Sequence, residues 1–149
     1  MVFKNESQLR EFLLSKSKNA LIKTQAQVYQ IIDKFVKEFY TDYSPELYER
    51  TYQLYRSLVK SDIISTGNGY KAHVYFDLDS LDYVYGARPS GEQVMGAAAE
   101  GWHGADGLLV KSGDTGVSIW NDPKEIVDAN AIGILERMLK AEGIPVIRK

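Results

Sequence analysis

Thr66-Gly67-Asn68-Gly69, followed by Tyr70-Lys71-Ala72-His73-Val74-Tyr75-Phe76-Asp77-Leu78-Asp79, is the most orderly stretch of the chain. The Asn-Gly pair tolerates the positive φ angles of a tight hairpin turn. Beyond it Tyr70, Ala72, Val74, Phe76 and Leu78 alternate with Lys71, His73, Tyr75, Asp77 and Asp79. A period of two marks a half-buried strand, and the hairpin sets it antiparallel to the segment before the turn. In that segment Leu47, Thr51, Leu54 and Leu58 suit a helix, whereas Leu54, Val59, Ile63 and Ile64 lean towards strand. The reading is a turn of helix at 45–50 and a strand within 52–65.

Upstream, Leu9, Phe12, Leu13, Ala20, Leu21, Val28, Ile32, Phe35, Val36 and Phe39 recur every three to four residues. That spacing predicts an amphipathic helix to about Tyr40, capped by Ser7 and open to a break in the polar stretch 15–19. Such a helix either projects as an arm or packs across a whole sheet. Thr41-Asp42-Tyr43-Ser44-Pro45 then punctuates the chain, because the residue before a proline disfavours helix.

Downstream the pattern is looser. Residues 81–85 read as extended chain, 88–91 as loop, 92–100 as a short helix with Gly96 as its weak point, and 101–107 as a glycine-rich loop. Residues 108–111 and 116–120 flank Ser112-Gly113-Asp114-Thr115 as a second hairpin. Asn121 or Asp122 caps a last helix with Pro123 at its start, and Gly143 and Pro145 end it. The expected class is α+β: a long N-terminal helix, an antiparallel sheet built from hairpins, a short middle helix and a C-terminal helix packed on the sheet. Residues 1–149 form one domain, with 1–40 able to project.

Composition narrows the chemistry. The chain has 149 residues, a net charge of −2 and no cysteine, so thiolate zinc sites, disulfides and a cysteine nucleophile are excluded. No signal peptide or membrane-spanning run is read in it. Residues 1–75 hold eleven Lys/Arg and eight Asp/Glu, and 76–149 hold seven and twelve, too mild an asymmetry for a nucleic-acid stripe. The His-Glu-x-x-His, Gly-x-Ser-x-Gly and phosphate-loop motifs are absent. Asp77, Asp79 and Asp82 form the one carboxylate cluster, and Asp77 and Asp79 share a face of a strand. With His103 they define an alternative reading, a small divalent-metal-dependent hydrolase or nuclease. A solvated strand end is the plainer one. No cofactor is expected.

Tyrosine is the compositional oddity, with ten residues. Tyr40, Tyr43, Tyr48, Tyr52 and Tyr55 fall within sixteen residues, interleaved with Arg50 and Arg56. Tyrosine buries a large ring and keeps a polar tip, which suits surfaces that are wet when free and covered in a complex. The same residues serve a single-stranded nucleic-acid platform, or simply pack the seam between helix and sheet.

Tyr43-Ser44-Pro45-x-x-Tyr48-x-Arg50-Thr51-x-x-Leu54-x-x-Ser57, entered from a long helix and followed by a hairpin, resembles the neck proteins of long-tailed phages. These are the tail-completion or head–tail joining proteins, particularly of phages of Gram-positive hosts. Tyr83-Val84-Tyr85-Gly86-Ala87-Arg88-Pro89 is similar to that family's aromatic-Gly-Thr-Arg segment, with Ala87 where threonine is common. The commoner pattern also has glycine after the threonine, where this chain has Tyr52. The resemblance implies a non-catalytic virion protein, assembled in the bacterial host cytoplasm. It would form a ring of its own copies, often six, between the connector and the tail-tube or tail-terminator proteins. It implies no membrane and no sequence-specific nucleic acid. The candidate assembly surface is then Tyr43, Pro45, Tyr48, Arg50, Tyr52, Tyr55, Arg56, Tyr83, Tyr85 and Arg88.

Overall fold

The computed structural model describes residues 2–42, 52–81, 90–105, 108–111 and 118–147, with the backbone alone at 42, 102–105 and 108–111. Helix α1 (Glu6–Asp42) is continuous over 37 residues, about 55 Å at 1.5 Å per residue. The polar stretch 15–19 does not break it, since Lys16 and Ser17 are half-buried within the helix and the cap lies elsewhere. That cap is Asn5 rather than Ser7. Its Oδ1 accepts from the Gln8 amide at 2.9 Å, while Gln8 Oε1 accepts from the Lys4 amide at 2.9 Å.

A short helix α2 (Gln53–Arg56) leads into β1 (Leu58–Lys60) and β2 (Ile64–Ser65), which pair with β4 (Val74–Phe76) and β3 (Tyr70–Lys71). The expected strand over 52–65 is thus a helical turn followed by an interrupted strand. The alternation of the return strand holds as far as Phe76: Tyr70, Ala72, Val74 and Phe76 are wholly or partly covered, and Lys71, His73 and Tyr75 are exposed, whereas Asp77 is half-buried and Leu78 and Asp79 belong to the turn that follows. Positive φ falls at Gly67 (+85°), not at the Asn-Gly pair, and the Thr66 amide donates to the Gly69 carbonyl at 3.0 Å.

The hairpin contains a slip. Leu58 faces Phe76, but Ile64 faces Lys71, so Ser61, Asp62 and Ile63 oppose only Ala72 and His73. This is a β-bulge, one extra residue that leaves backbone groups without ladder partners. Gln25 of α1 supplies the missing partner: its side-chain amide donates to both the Ser61 and His73 carbonyls at 2.9 Å. Further along, Arg10 reaches the turn, donating to Gly67 O and Asn68 Oδ1. The hairpin therefore lies along α1, held at its tip and at its bulge.

A 3-10 turn (Leu78–Ser80) follows, then α3 (Gly91–Ala99). Ser90 and Gln93 close a capping box on α3. Gly91 is required by close approach, because a Cβ there would meet the Leu78 carbonyl oxygen at 2.5 Å. Next come β5 (Trp102–Ala105) and β6 (Leu108–Lys111), paired antiparallel with Trp102 facing Lys111. The segment read as a glycine loop is thus a strand, and β6 pairs backwards with it. Residues 112–117, the expected second turn and half of its return strand, lie outside the described residues.

Helix α4 (Asn121–Ala141) has Trp120, not Asn121 or Asp122, at its N-cap position, and the Trp120 side chain makes no capping bond. Ser118 Oγ accepts from the Asn121 amide at 2.8 Å and the Trp120 amide at 3.2 Å. Pro123 sits inside the first turn, where an amide has no intrahelical acceptor to lose. At the other end Gly143, at φ +85°, closes a Schellman motif, with Ile144 N donating to Leu139 O.

The α+β class, with long first helix, hairpins, short middle helix and closing helix, is the observed one. The partner of α4 differs in detail: it packs on α1, antiparallel to it. Ile119, just before α4, joins Val36 and Phe39 in the core, while Glu142 just after it pairs with Lys16 and Lys23. Lys16 and Lys23 fall on one face of α1, and Arg10, Lys18, Gln25 and Tyr29, which meet the hairpin, on the opposite face. The core, Ile32, Val36, Phe39, Leu54, Leu58, Phe76, Ala98 and Ile119, gathers at the C-terminal end of α1.

Hydrogen bonding from Lys23, supported by Asn19 and Lys16, holds the Glu142 carboxyl below the usual carboxylate range. A carboxyl lowered in the folded state adds stability above its unfolded pKa and loses it as pH falls through the folded one. Glu142→Gln is therefore expected to lower the melting temperature at pH 7. The gap to the parent protein should close as pH drops through and below the ordinary carboxylate range. Thermal melts at a series of pH values check this, and a gap independent of pH would refute it.

Candidate functional site

The tyrosine cluster is built where the last turns of α1 meet α2. Tyr40, near the end of α1, stacks on Tyr52 with centroids 5.1 Å apart and planes 25° apart. Tyr55 stands edge-on to both, at 5.7 Å from Tyr40 and 6.4 Å from Tyr52. The Tyr40 hydroxyl accepts from the Tyr55 amide at 3.2 Å, which ties the start of α2 to α1. Behind them Tyr29 lies under the Lys60 ammonium, 5.3 Å from its ring centroid. Burial, then the nearby Asp33 carboxylate and Tyr55, pushes the Tyr29 phenol above its usual value.

The cluster divides into two parts. Tyr29, Tyr40 and Tyr55 pack against the core and act as seam residues. Tyr52 does not: it is 45% exposed, and Arg56 beside it is exposed too. Tyr52 also has φ 56° and ψ 23°, the left-handed conformation, and is the one described non-glycine residue with positive φ. An aromatic residue held there stores roughly 1–3 kcal/mol of strain. Two aromatic contacts, each worth about 0.5–1.5 kcal/mol, are enough to hold it in place.

Of the sequence candidates, the structure brings Tyr52, Tyr55 and Arg56 together. Tyr43, Pro45, Tyr48, Arg50, Tyr83, Tyr85 and Arg88 lie outside the described residues. Tyr29 and Lys60 were not singled out by sequence. Tyr29 lies eleven residues before Tyr40, three turns along α1, a spacing that places both on the hairpin side.

The carboxylate cluster reads differently in three dimensions. Asp77 follows β4 directly and Asp79 lies in the 3-10 turn after it, so the two do not sit on one strand as expected. The Asp77 backbone is occupied, its amide donating to Ser57 O and its carbonyl accepting from Ser80. Asp82 and the His103 side chain lie outside the described residues. Among the described residues no three His, Asp or Glu side chains gather as a metal site, and no helix is long and apolar enough to cross a membrane.

The model of the YomN family matches residues 5–136, from the cap of α1 to well inside α4. The chain belongs to the YomN family. YomN is a family of Bacillus phage and prophage type, and the match points to a phage-associated protein. No curated protein and no solved structure matches the chain. The matched YomN span takes in the whole tyrosine cluster and the hairpin with its bulge.

Proposed function

We propose that the protein is a structural virion component that works by protein contact at the junction of head and tail, as tail-completion or head–tail joining proteins do, and that it has no catalytic role. Its partners are further copies of itself in a ring, the connector on one side and the tail-tube or tail-terminator protein on the other. Its place is the virion. The phage association of the YomN family supports the setting.

The observation that carries the reading is Tyr52. The neck proteins that this sequence resembles commonly have glycine at that position, so Tyr52 departs from their pattern, yet its backbone lies in the left-handed region that glycine enters without strain. The turn is thus of glycine type, and it presents an exposed aromatic ring beside an exposed arginine.

Tyr52→Gly separates fold from contact. Relief of backbone strain offsets the lost stacking, so stability is expected to stay within about 1 kcal/mol of the parent. Binding to the cognate connector or tail protein, measured by light scattering of the mixtures, is expected to weaken tenfold or more, on the order of a hot-spot loss. A parent protein that stays monomeric and binds neither partner overturns the reading.

A further inference from the structure

The tip of the β2–β3 hairpin carries the only Asn-Gly pair of the chain, Asn68-Gly69. Gly67 and Asn68 form the two-residue loop between Thr66 and Gly69, and both are exposed. The Thr66 amide closes that loop by donating to the Gly69 carbonyl at 3.0 Å. The Gly69 amide itself donates to no other described residue. On the α1 side, Arg10 donates to Asn68 Oδ1 at 3.2 Å and to the Gly67 carbonyl at 3.4 Å. Asparagine is among the thermolabile residues, and the other asparagines of the chain are placed differently. Asn5 and Asn121 precede Glu6 and Asp122, whose side chains crowd the next backbone nitrogen. Asn19 and Asn130 lie inside α1 and α4, where the next amide is held in the helical ladder. Asn68 is thus the one asparagine beside an amide nitrogen that is both unbonded and free of a side chain.

We propose that Asn68 is a self-modification site: it loses its side-chain amide by cyclising onto the Gly69 nitrogen, and the product changes how the hairpin tip holds α1. The Gly69 nitrogen gives its proton to solvent base and attacks Asn68 Cγ. A Cγ–N bond forms, the Cγ–Nδ2 bond breaks, and Nδ2 takes a proton from solvent and leaves as ammonia. One water then opens the succinimide ring at either carbonyl, so no oxidant or further reactant is needed. Cleavage of the new Cγ–N bond gives aspartate. Cleavage of the original backbone C–N bond gives isoaspartate, whose main chain runs through Cβ and Cγ. The aspartate keeps a carboxylate oxygen where Arg10 already donates, so the contact with α1 becomes an ion pair. In the isoaspartate the loop gains one main-chain atom. Hairpin register is fixed by loop length, so Thr66 and Gly69 lose their pairing and the tip leaves Arg10. The site needs only water and this chain, and stands apart from any role at the head–tail junction.

The test ages the full chain in mildly alkaline buffer, well below its melting temperature, with fresh chain digested in parallel. Trypsin cuts after Lys60 and Lys71, and within residues 61–71 Asn68 is the one side-chain amide. The mass gain of an amide-to-acid change in that peptide, resolved into aspartyl and isoaspartyl forms, is expected to build up severalfold faster than at Asn19 or Asn130, and faster as pH rises. Gly69→Ala is expected to slow it severalfold, because the new Cβ hinders attack by the nitrogen. That Cβ would meet Thr66 Oγ1 at 3.8 Å, an ordinary contact, so the variant keeps the turn. Hydrogen exchange at the β3 amides is expected to quicken severalfold in the aged chain, and to stay slow in aged Gly69→Ala and in fresh Asn68→Asp. A peptide 61–71 that keeps its amide as long as Asn19 and Asn130 do overturns the proposal, as does a conversion indifferent to Gly69→Ala. A converted chain whose β3 amides exchange like those of fresh protein overturns the effect on the tip. None of these results touches binding to connector or tail proteins, which tests the other reading.

Discussion

Phe39→Ala is expected to remove about 3–5 kcal/mol of folding stability, the cost of deleting a buried aromatic ring that its neighbours cannot fully replace. Phe39 is 4% exposed and belongs to the core cluster formed by the described residues. Val36 and Phe39 of α1, Leu54 of α2, Leu58 of β1, Phe76 of β4, Ala98 of α3 and Ile119 before α4 all bury themselves there. The remainder of α1 is held by α4 along one face and by the bonds of Arg10 and Gln25 to the hairpin on the other. Against a total of about 5–15 kcal/mol for a domain, the loss is severe, and a melting-temperature fall on the order of 10 °C follows. Ile132→Ala, on the exposed face of α4, is the control and should stay within about 0.5 kcal/mol in dilute monomer. Urea denaturation of both variants decides it. A loss below 1 kcal/mol for Phe39→Ala would mean that the elements do not depend on this cluster.

Such a core was readable in advance on α1, because Ile32, Val36 and Phe39 follow the helical period, and on the return strand, because Phe76 follows the period of two. Periodicity could not give register. The slip between the two halves of the hairpin depends on Gln25, 36 residues before Ser61 and 48 before His73, and a long-range side-chain bond leaves no local pattern. The strand at 102–105 was hidden for a different reason: Gly101 and Gly104 lower strand propensity, and pairing with β6 overrides it. Two caps carried a local signature that the sequence reading passed over, placing the first at Ser7 and leaving Ser90 in a loop. Asn5-x-x-Gln8 and Ser90-x-x-Gln93 both have the spacing of a capped helix start, and both act as such. At the candidate site, sequence located the tyrosines but could not divide them. Only the backbone angle of Tyr52 and its exposure separate it from Tyr40 and Tyr55, which pack inward.

Gln25→Glu is expected to make the stability of the protein strongly pH-dependent. Gln25 is 9% exposed, and its amide donates to two carbonyl oxygens that have the bulge on one side and α1 on the other. His73 O also accepts from the Ser61 amide, so the Ser61 carbonyl is the one that depends on Gln25. In Gln25→Leu it is left half-buried without a donor, a cost of about 1 kcal/mol that does not vary between pH 4 and 8. In Gln25→Glu a carboxylate at pH 7 faces two oxygens and has no proton to offer. An uncompensated buried charge costs about 3–5 kcal/mol. Both the oxygens and the burial favour the neutral acid, so the folded pKa of the new carboxyl is raised. A group raised in the folded state contributes its stability below its unfolded pKa and loses it as pH rises through the folded value. The variant should therefore approach the parent near pH 4, where the protonated carboxyl donates one bond, and fall below even Gln25→Leu at pH 7. Denaturation curves for the three proteins at the two pH values give the comparison. Hydrogen exchange at the amides of β1 and β4 locates the loss, because a hairpin released from α1 at its bulge should open there before the core does. If Gln25→Glu were as stable as the parent at pH 7, the side chain would not be the element that locks the hairpin to the long helix.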